Sequence, residues 1–160
     1  MRPLLTELSL QEQIPHNHCF GCGPFNEGGL NLKSYWSGSG PSIARFRPQP
    51  QHCSAPQHFV NGGIIATLLD CHGICTAMAA AYHREARAIG STPLCYYATA
   101  SLVVRYRRPA PMETELELTA EVLDVTDKRC LLQCSLSADG KLCADAEVQA
   151  VPVPLSWMGL

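Results

Sequence analysis

Charge is scarce in this sequence. Only 16% of its 160 residues are Asp, Glu, Lys or Arg, and the formal net charge is −2. So small a balance argues against nucleic acid as the main partner. Residues 1–20 carry Glu7 and Glu12 and no apolar h-region, so no signal peptide is expected. No stretch reaches the roughly 18 uncharged apolar residues of a spanning helix, and no membrane partner is expected. There is no internal repeat and no dividing linker. A single domain over residues 1–160 is therefore expected, with residues 1–29 as a helix-and-turn segment packed on it. At 46% hydrophobic the chain is too apolar for a disordered protein. Cysteine, by contrast, is plentiful. The count is nine, an odd number scattered through apparent strands and helix. That reads as free buried thiols in a reducing cytoplasm, not as a disulfide framework.

The scarcity of charge is most marked at residues 61–82, NGGIIATLLDCHGICTAMAAAY, where Asp70 is the only charged side chain. Apolar residues run all the way round this segment, which predicts a helix over about 61–83 buried on nearly every side. Strands are expected over 30–36 and 42–47, with Gly38-Ser39-Gly40-Pro41 as the turn. A long loop, rich in proline and polar groups, fills 48–60. After a connection at 84–93, strands are expected over 94–107, 113–125, 129–138 and 141–153. Their connections, RPAPM, TDK and ADG, read as hairpins, the last through Asp139-Gly140. The order β-β-α-β-β-β-β gives an α+β fold, an antiparallel sheet wrapped around a central helix. The far side of that helix would stay open, so two chains are expected to pair, through sheet edges or through helices.

Asp70 admits two readings. A buried carboxylate is costly unless paired or hydrated, and Asp is a poor helix former. The bland reading is a structural cap or a surface position. The other begins at Asn61-Gly62-Gly63. Asn is a good N-cap, and glycines after it leave N–H groups uncovered at the positive helix end, where a developing oxyanion can be received. Asp70 lies nine residues after Asn61, roughly 13 Å along the axis. One chain cannot bring both to one atom, so an active site at a dimer interface is what the spacing asks for.

Three motifs resemble one family. Val60-Asn61-Gly62-Gly63 through Asp70 is similar to the His-Gly-Gly and the acid nine residues later in hotdog-fold thioesterases of the PaaI-like group, with Asn61 replacing His. Thr99-Ala100-Ser101-Leu102-Val103-Val104-Arg105-Tyr106-Arg107-Arg108-Pro109 resembles that group's T-A-x-L-x-x-x-Y-x-x-P. Cys19-Phe20-Gly21-Cys22-Gly23-Pro24-Phe25-Asn26-Glu27-Gly28-Gly29-Leu30 resembles a C-x-G-C-G-x-x-N-x-x-G-L run upstream of the first strand in one branch. The resemblance implies a hotdog fold and hydrolysis of an acyl-CoA thioester by a cytoplasmic homodimer or homotetramer without a cofactor. Gly62, with Gly63, would polarise the carbonyl. Asp70 of the other subunit would act as general base or nucleophile, with Thr99 holding the water. By propensity alone Thr99 is an ordinary strand residue.

The chain departs from the pattern twice. Asn61 caps a helix but does not titrate near neutrality. Ala55 stands where relatives often carry Asn or Gln, and Gln57 or His58 is the nearest polar substitute. Arg105, Arg107 and Arg108 offer cations for CoA phosphates, as do Lys128 and Arg129, less readily, at a hairpin; the alternative for both is a solvated strand edge. His16-x-His18-Cys19-x-x-Cys22 has zinc-ligand types, but ligands at 18 and 19 are awkward neighbours and the glycines suit a tight turn alone. No metal is expected. A non-catalytic acyl-CoA-binding or sensor protein is the alternative function. A dehydratase or hydratase is weaker, because Asn61 removes the His that such chemistry wants.

Overall fold

The computed structural model describes residues 7–160. A short helix α1 (Leu10–Gln13) opens them, with a capping box in which Ser9 and Glu12 exchange backbone and side-chain bonds. The helix of the expected helix-and-turn segment over 1–29 is thus one turn long among the described residues, and residues 1–6 lie outside them. Strands β1 (Lys33–Tyr35) and β2 (Ser42–Phe46) follow, then helix α2 (Gly62–Arg84). The sheet is completed by β3 (Tyr96–Tyr106), β4 (Leu116–Val125), β5 (Cys130–Ala138) and β6 (Lys141–Val153). Short 3-10 turns at Pro50–His52 and Leu155–Met158 were not foreseen.

All six strands form one antiparallel sheet in the order β1-β2-β4-β5-β6-β3. One expected hairpin is corrected by this order. RPAPM does not turn β3 back onto β4; it carries the chain across, so that β3 pairs with β6 at one edge while β4 lies between β2 and β5. The connection that makes this crossing, residues 107–115, is nine residues long, more than a tight hairpin needs. The other two hairpins form, with Asp139 and Gly140 both at positive φ.

The sheet wraps α2, which packs on β3, β4, β5 and β6. The inward faces of β4, β5 and β6 alternate with outward polar residues, and Leu116, Leu118, Leu132, Leu136 and Val148 are buried against the helix. Gly73 lets α2 approach closely: a Cβ there would press on Val148 and Cys134. By length and composition α2 could cross a membrane, but most of it is buried in this core. The buried polar groups of the core are paired. Gln11, Ser34, His72, Ser42 and Thr76 form a chain of hydrogen bonds of 2.6–3.1 Å between α1, the first two strands and α2.

Candidate active site

The position of Asp70 follows from how α2 is covered. The sheet takes one side, and residues of the N-terminal turn take another. Between them Ile64, Thr67, Asp70 and Ile74 form an incompletely buried stripe at helical spacing, beside the edge strand β3. Asp70 lies on that stripe, so the lone acid of the helix is neither in the core nor in open solvent.

Thr99 meets it there. The Thr99 hydroxyl donates to Asp70 Oδ1 at 2.7 Å within the same chain. A bulge in the β3–β6 pairing between Thr99 and Ser101 leaves Ala100 unpaired at this point, a device that re-aims side chains. Among the described residues no cation pairs with Asp70. Burial pushes its carboxyl up from the usual range; the Thr99 bond pulls it back, and the nearby Cys22 sulfur adds to the rise. The two residues open into a cavity of about 570 Å³ whose wall includes Ile74, Met78, Tyr96 and Met158.

The helix tip is built from other groups. Asn61 caps α2, its side-chain oxygen accepting from Gly63 N at 2.8 Å and Ile64 N at 3.2 Å. The Gly63 N–H is therefore taken, a correction to its expected part in receiving a carbonyl. The Gly62 N–H has no acceptor among the described residues. Tyr106, at the end of β3, donates to the Gly62 carbonyl at 2.6 Å. A Cβ at position 62 would meet the Tyr106 ring only at ordinary contact distance, 3.5 Å or more. Nothing among the described residues demands glycine there. The motif around Thr99 includes Tyr106, but the pattern alone assigns it no role; its anchoring of the helix tip emerges from the fold.

Gly62 and Asp70 are eight residues apart on one helix, about 12 Å along its axis, and one protomer does not bring them together. His58 lies exposed in the loop before α2, its ring 4.1 Å from Phe59, away from the Asp70 cavity. Arg105 and Arg107 pair with Glu147 and Asp145 of β6 at 3.3 and 2.7 Å. Arg108 has no ion pair among the described residues. Because Tyr106 reaches Gly62, these arginines sit at the tip end of α2. The Lys128–Arg129 hairpin lies at the opposite end, where its Asp127 pairs with Arg84 at 2.8 Å.

The N-terminal turn contributes an unexpected cluster. His16 and His18 line the cavity, but the sulfurs of Cys19 and Cys22 approach Cys71 on α2, all three within 4.8 Å of one another. Cys22 also lies 3.8 Å from Cys75. Cys19 and the helix thiols pull the Cys22 thiol down, whereas Cys71 and Cys75 are pushed up by the same contacts. The spacing along the turn points to its two cysteines together with His16 and His18, and not to Cys71 or Cys75. These helix partners, one helical turn apart, look like ordinary core residues.

An antiparallel sheet curled around one long helix, with an acid and a hydroxyl at its edge, is the hotdog architecture. Residues 75–156 match the thioesterase-like superfamily, and the chain belongs to that superfamily. Among solved structures it is similar to a thioesterase superfamily protein from Shewanella loihica, with 39% identity over 77% of this chain and 91% of that one, at a TM-score of 0.62. A phenylacetic acid degradation-related protein from Ralstonia eutropha shares the fold at 20% identity, over 82% of this chain and 92% of that one (TM-score 0.64). A thioesterase from Haemophilus influenzae does so at 12%, over 79% and 80% (TM-score 0.63). No curated protein matches the chain.

Proposed function

We propose that this protein hydrolyses an acyl-CoA thioester at a site shared by two protomers. The observation that carries the reading is the Thr99–Asp70 hydrogen bond of 2.7 Å at the mouth of an apolar cavity. It leaves Asp70 Oδ2 and a lone pair of the Thr99 oxygen to hold one water. Asp70 takes a proton from that water as its oxygen attacks the carbonyl carbon. Charge gathers on the carbonyl oxygen, which receives the Gly62 N–H of the second protomer. The C–S bond then breaks, and the protonated Asp70 returns its proton to the departing thiolate. Direct attack by Asp70, through a mixed anhydride that water later opens, uses the same groups. The cavity takes the acyl group, and Arg108 is the cation left to meet CoA phosphate. Nine unpaired thiols suit a reducing compartment such as the cytoplasm.

A non-catalytic acyl-CoA binder is the second reading. It is favoured by the commitment of the Asn61 side chain to capping, in a position where an imidazole would titrate near neutrality and an amide does not. The experiment is release of free thiol from acyl-CoAs of graded chain length, with Asp70→Asn as control. Turnover by the native protein and its loss by about 100-fold or more in the variant support the enzyme. Binding without turnover at every chain length rejects it in favour of the binder, and equal turnover in the variant rejects the role of Asp70.

A further inference from the structure

The cysteine cluster lies outside the hydrolytic chemistry and has its own geometry. Cys19 and Cys22 occupy the two ends of a turn closed by the Gly23 N–H on the Cys19 carbonyl at 2.7 Å. Cys71 and Cys75, four residues apart, present their thiols from one face of α2. The Cys19 and Cys71 sulfurs are 3.7 Å apart and those of Cys22 and Cys75 3.8 Å. A disulfide would need about 2.05 Å. A tetrahedral zinc with four thiolates, at about 2.3 Å each, sets its sulfurs about 3.8 Å apart.

The surroundings are shaped for this approach. A Cβ on Gly21 would collide with the Cys71 sulfur, so that glycine lets the turn press against the helix; one on Gly23 would collide with the Cys19 backbone, so that glycine lets the turn close on itself. Asn17 supports the sulfurs from outside. Its amide donates to Cys22 Sγ at 3.6 Å, while its carbonyl accepts the Cys19 N–H at 3.1 Å. His18 stands apart, its ring packed on Phe25 at 5.4 Å. Between α1 and β1 this segment has no regular element to hold it, yet it forms one wall of the cavity beside Asp70.

We propose that Cys19, Cys22, Cys71 and Cys75 bind one zinc ion, a structural four-thiolate site that pins the N-terminal turn onto α2. Three of the sulfurs already lie within 4.8 Å of one another, and closing the tetrahedron asks Cys75 to shift toward Cys19 and Cys71. Four sulfurs leave no open position, so the ion shapes the cavity wall and does not activate water. The site stands whether or not the protein is a thioesterase.

The test is metal analysis of the full chain purified under reducing conditions without chelator, beside cobalt(II) titration after removal of bound metal. The expected result is one zinc per chain, and a cobalt derivative with intense tetrahedral bands and thiolate charge transfer. Cys22→Ser/Cys71→Ser should lose more than nine-tenths of the metal, while Cys143→Ser, outside the cluster, should keep it. Cobalt titration reads the native sequence, so the test survives a serine variant that fails to fold. A native protein without zinc that gives no tetrahedral cobalt spectrum overturns the proposal. So does a mass showing a Cys19–Cys71 or Cys22–Cys75 disulfide, an iron chromophore in place of zinc, or full metal retention by the double variant.

Discussion

At the scale of single residues, the Thr99 hydroxyl is the one hydrogen-bond donor to the Asp70 carboxylate among the described residues. Removing it should leave the carboxylate in place but free to turn. A hydrogen bond to a charged group contributes about 1.5–3 kcal/mol, so Thr99→Ala is expected to lower kcat about 10- to 100-fold, whereas Thr99→Ser should recover most of it. Steady-state thiol release checks both. His52 gives a separate, stability-based prediction. Its ring is buried against Phe46, and its Nδ1 accepts the Gln49 N–H at 2.9 Å. Burial holds its pKa below the ordinary value of 6.5. A lowered folded-state pKa favours the native state most above the unfolded pKa, and that advantage fades as pH falls. Denaturation of native protein and His52→Gln at several pH values should show the native protein losing ground to the variant below about pH 6.5, by at most about 1.4 kcal/mol per unit. Parallel pH profiles would reject the buried neutral imidazole.

At the scale of elements, α2 depends on its first turn. Asn61 satisfies two N–H groups there, so Asn61→Ala is expected to cost about 1 kcal/mol in urea unfolding, and Asn61→Asp far less. The next position separates capping from catalysis. Proline is tolerated at the first helical residue and lacks only the N–H, and Asn61 already has the extended backbone that a following proline wants, at φ −59° and ψ 134°. Gly62→Pro should therefore fold with a native-like helix by circular dichroism, yet lose about 100- to 1,000-fold in kcat, the usual loss of one oxyanion donor. Retained turnover would show that Gly62 does not receive the carbonyl. The buried chain from Gln11 to Thr76 is the other element-scale device. Ser42 touches both His72 and Thr76, but Ser34 and the Ser42 carbonyl also hold His72 and the His72 carbonyl holds Thr76, so Ser42→Ala should cost about 0.5–1.5 kcal/mol by chemical denaturation, the worth of an ordinary hydrogen bond.

At the scale of the whole molecule, β3 is an eleven-residue edge strand, with Val103 and Tyr106 exposed along it. A long unpaired edge of this kind is a template for a second chain. A two-fold pair would carry two reciprocal sites, each with Gly62 from one protomer and Asp70 from the other. Mixing inactive Asp70→Asn with inactive Gly62→Pro and allowing exchange should restore roughly a quarter of native activity, because only mixed pairs hold one intact site. No recovery after proven exchange would rule out the shared site. Much of this molecule is legible along the chain. The strands are set by two-residue alternation and the helix by its long run of mostly apolar residues, with Asn61 marking its start, because these signals depend on near neighbours alone. Asp70 and Thr99 stand out in the same way, one as a lone charge and one within a recognisable motif. What only the tertiary structure decided are the matters of non-local pairing. The route of β3 across to β6, the loss of the Gly63 N–H to Asn61 and the hold of Tyr106 on Gly62 all depend on which surfaces meet. The meeting of Cys19 and Cys22 with Cys71 and Cys75 belongs with them, since residues some fifty positions apart come together only when α2 is buried and the N-terminal turn closes over what the sheet leaves uncovered.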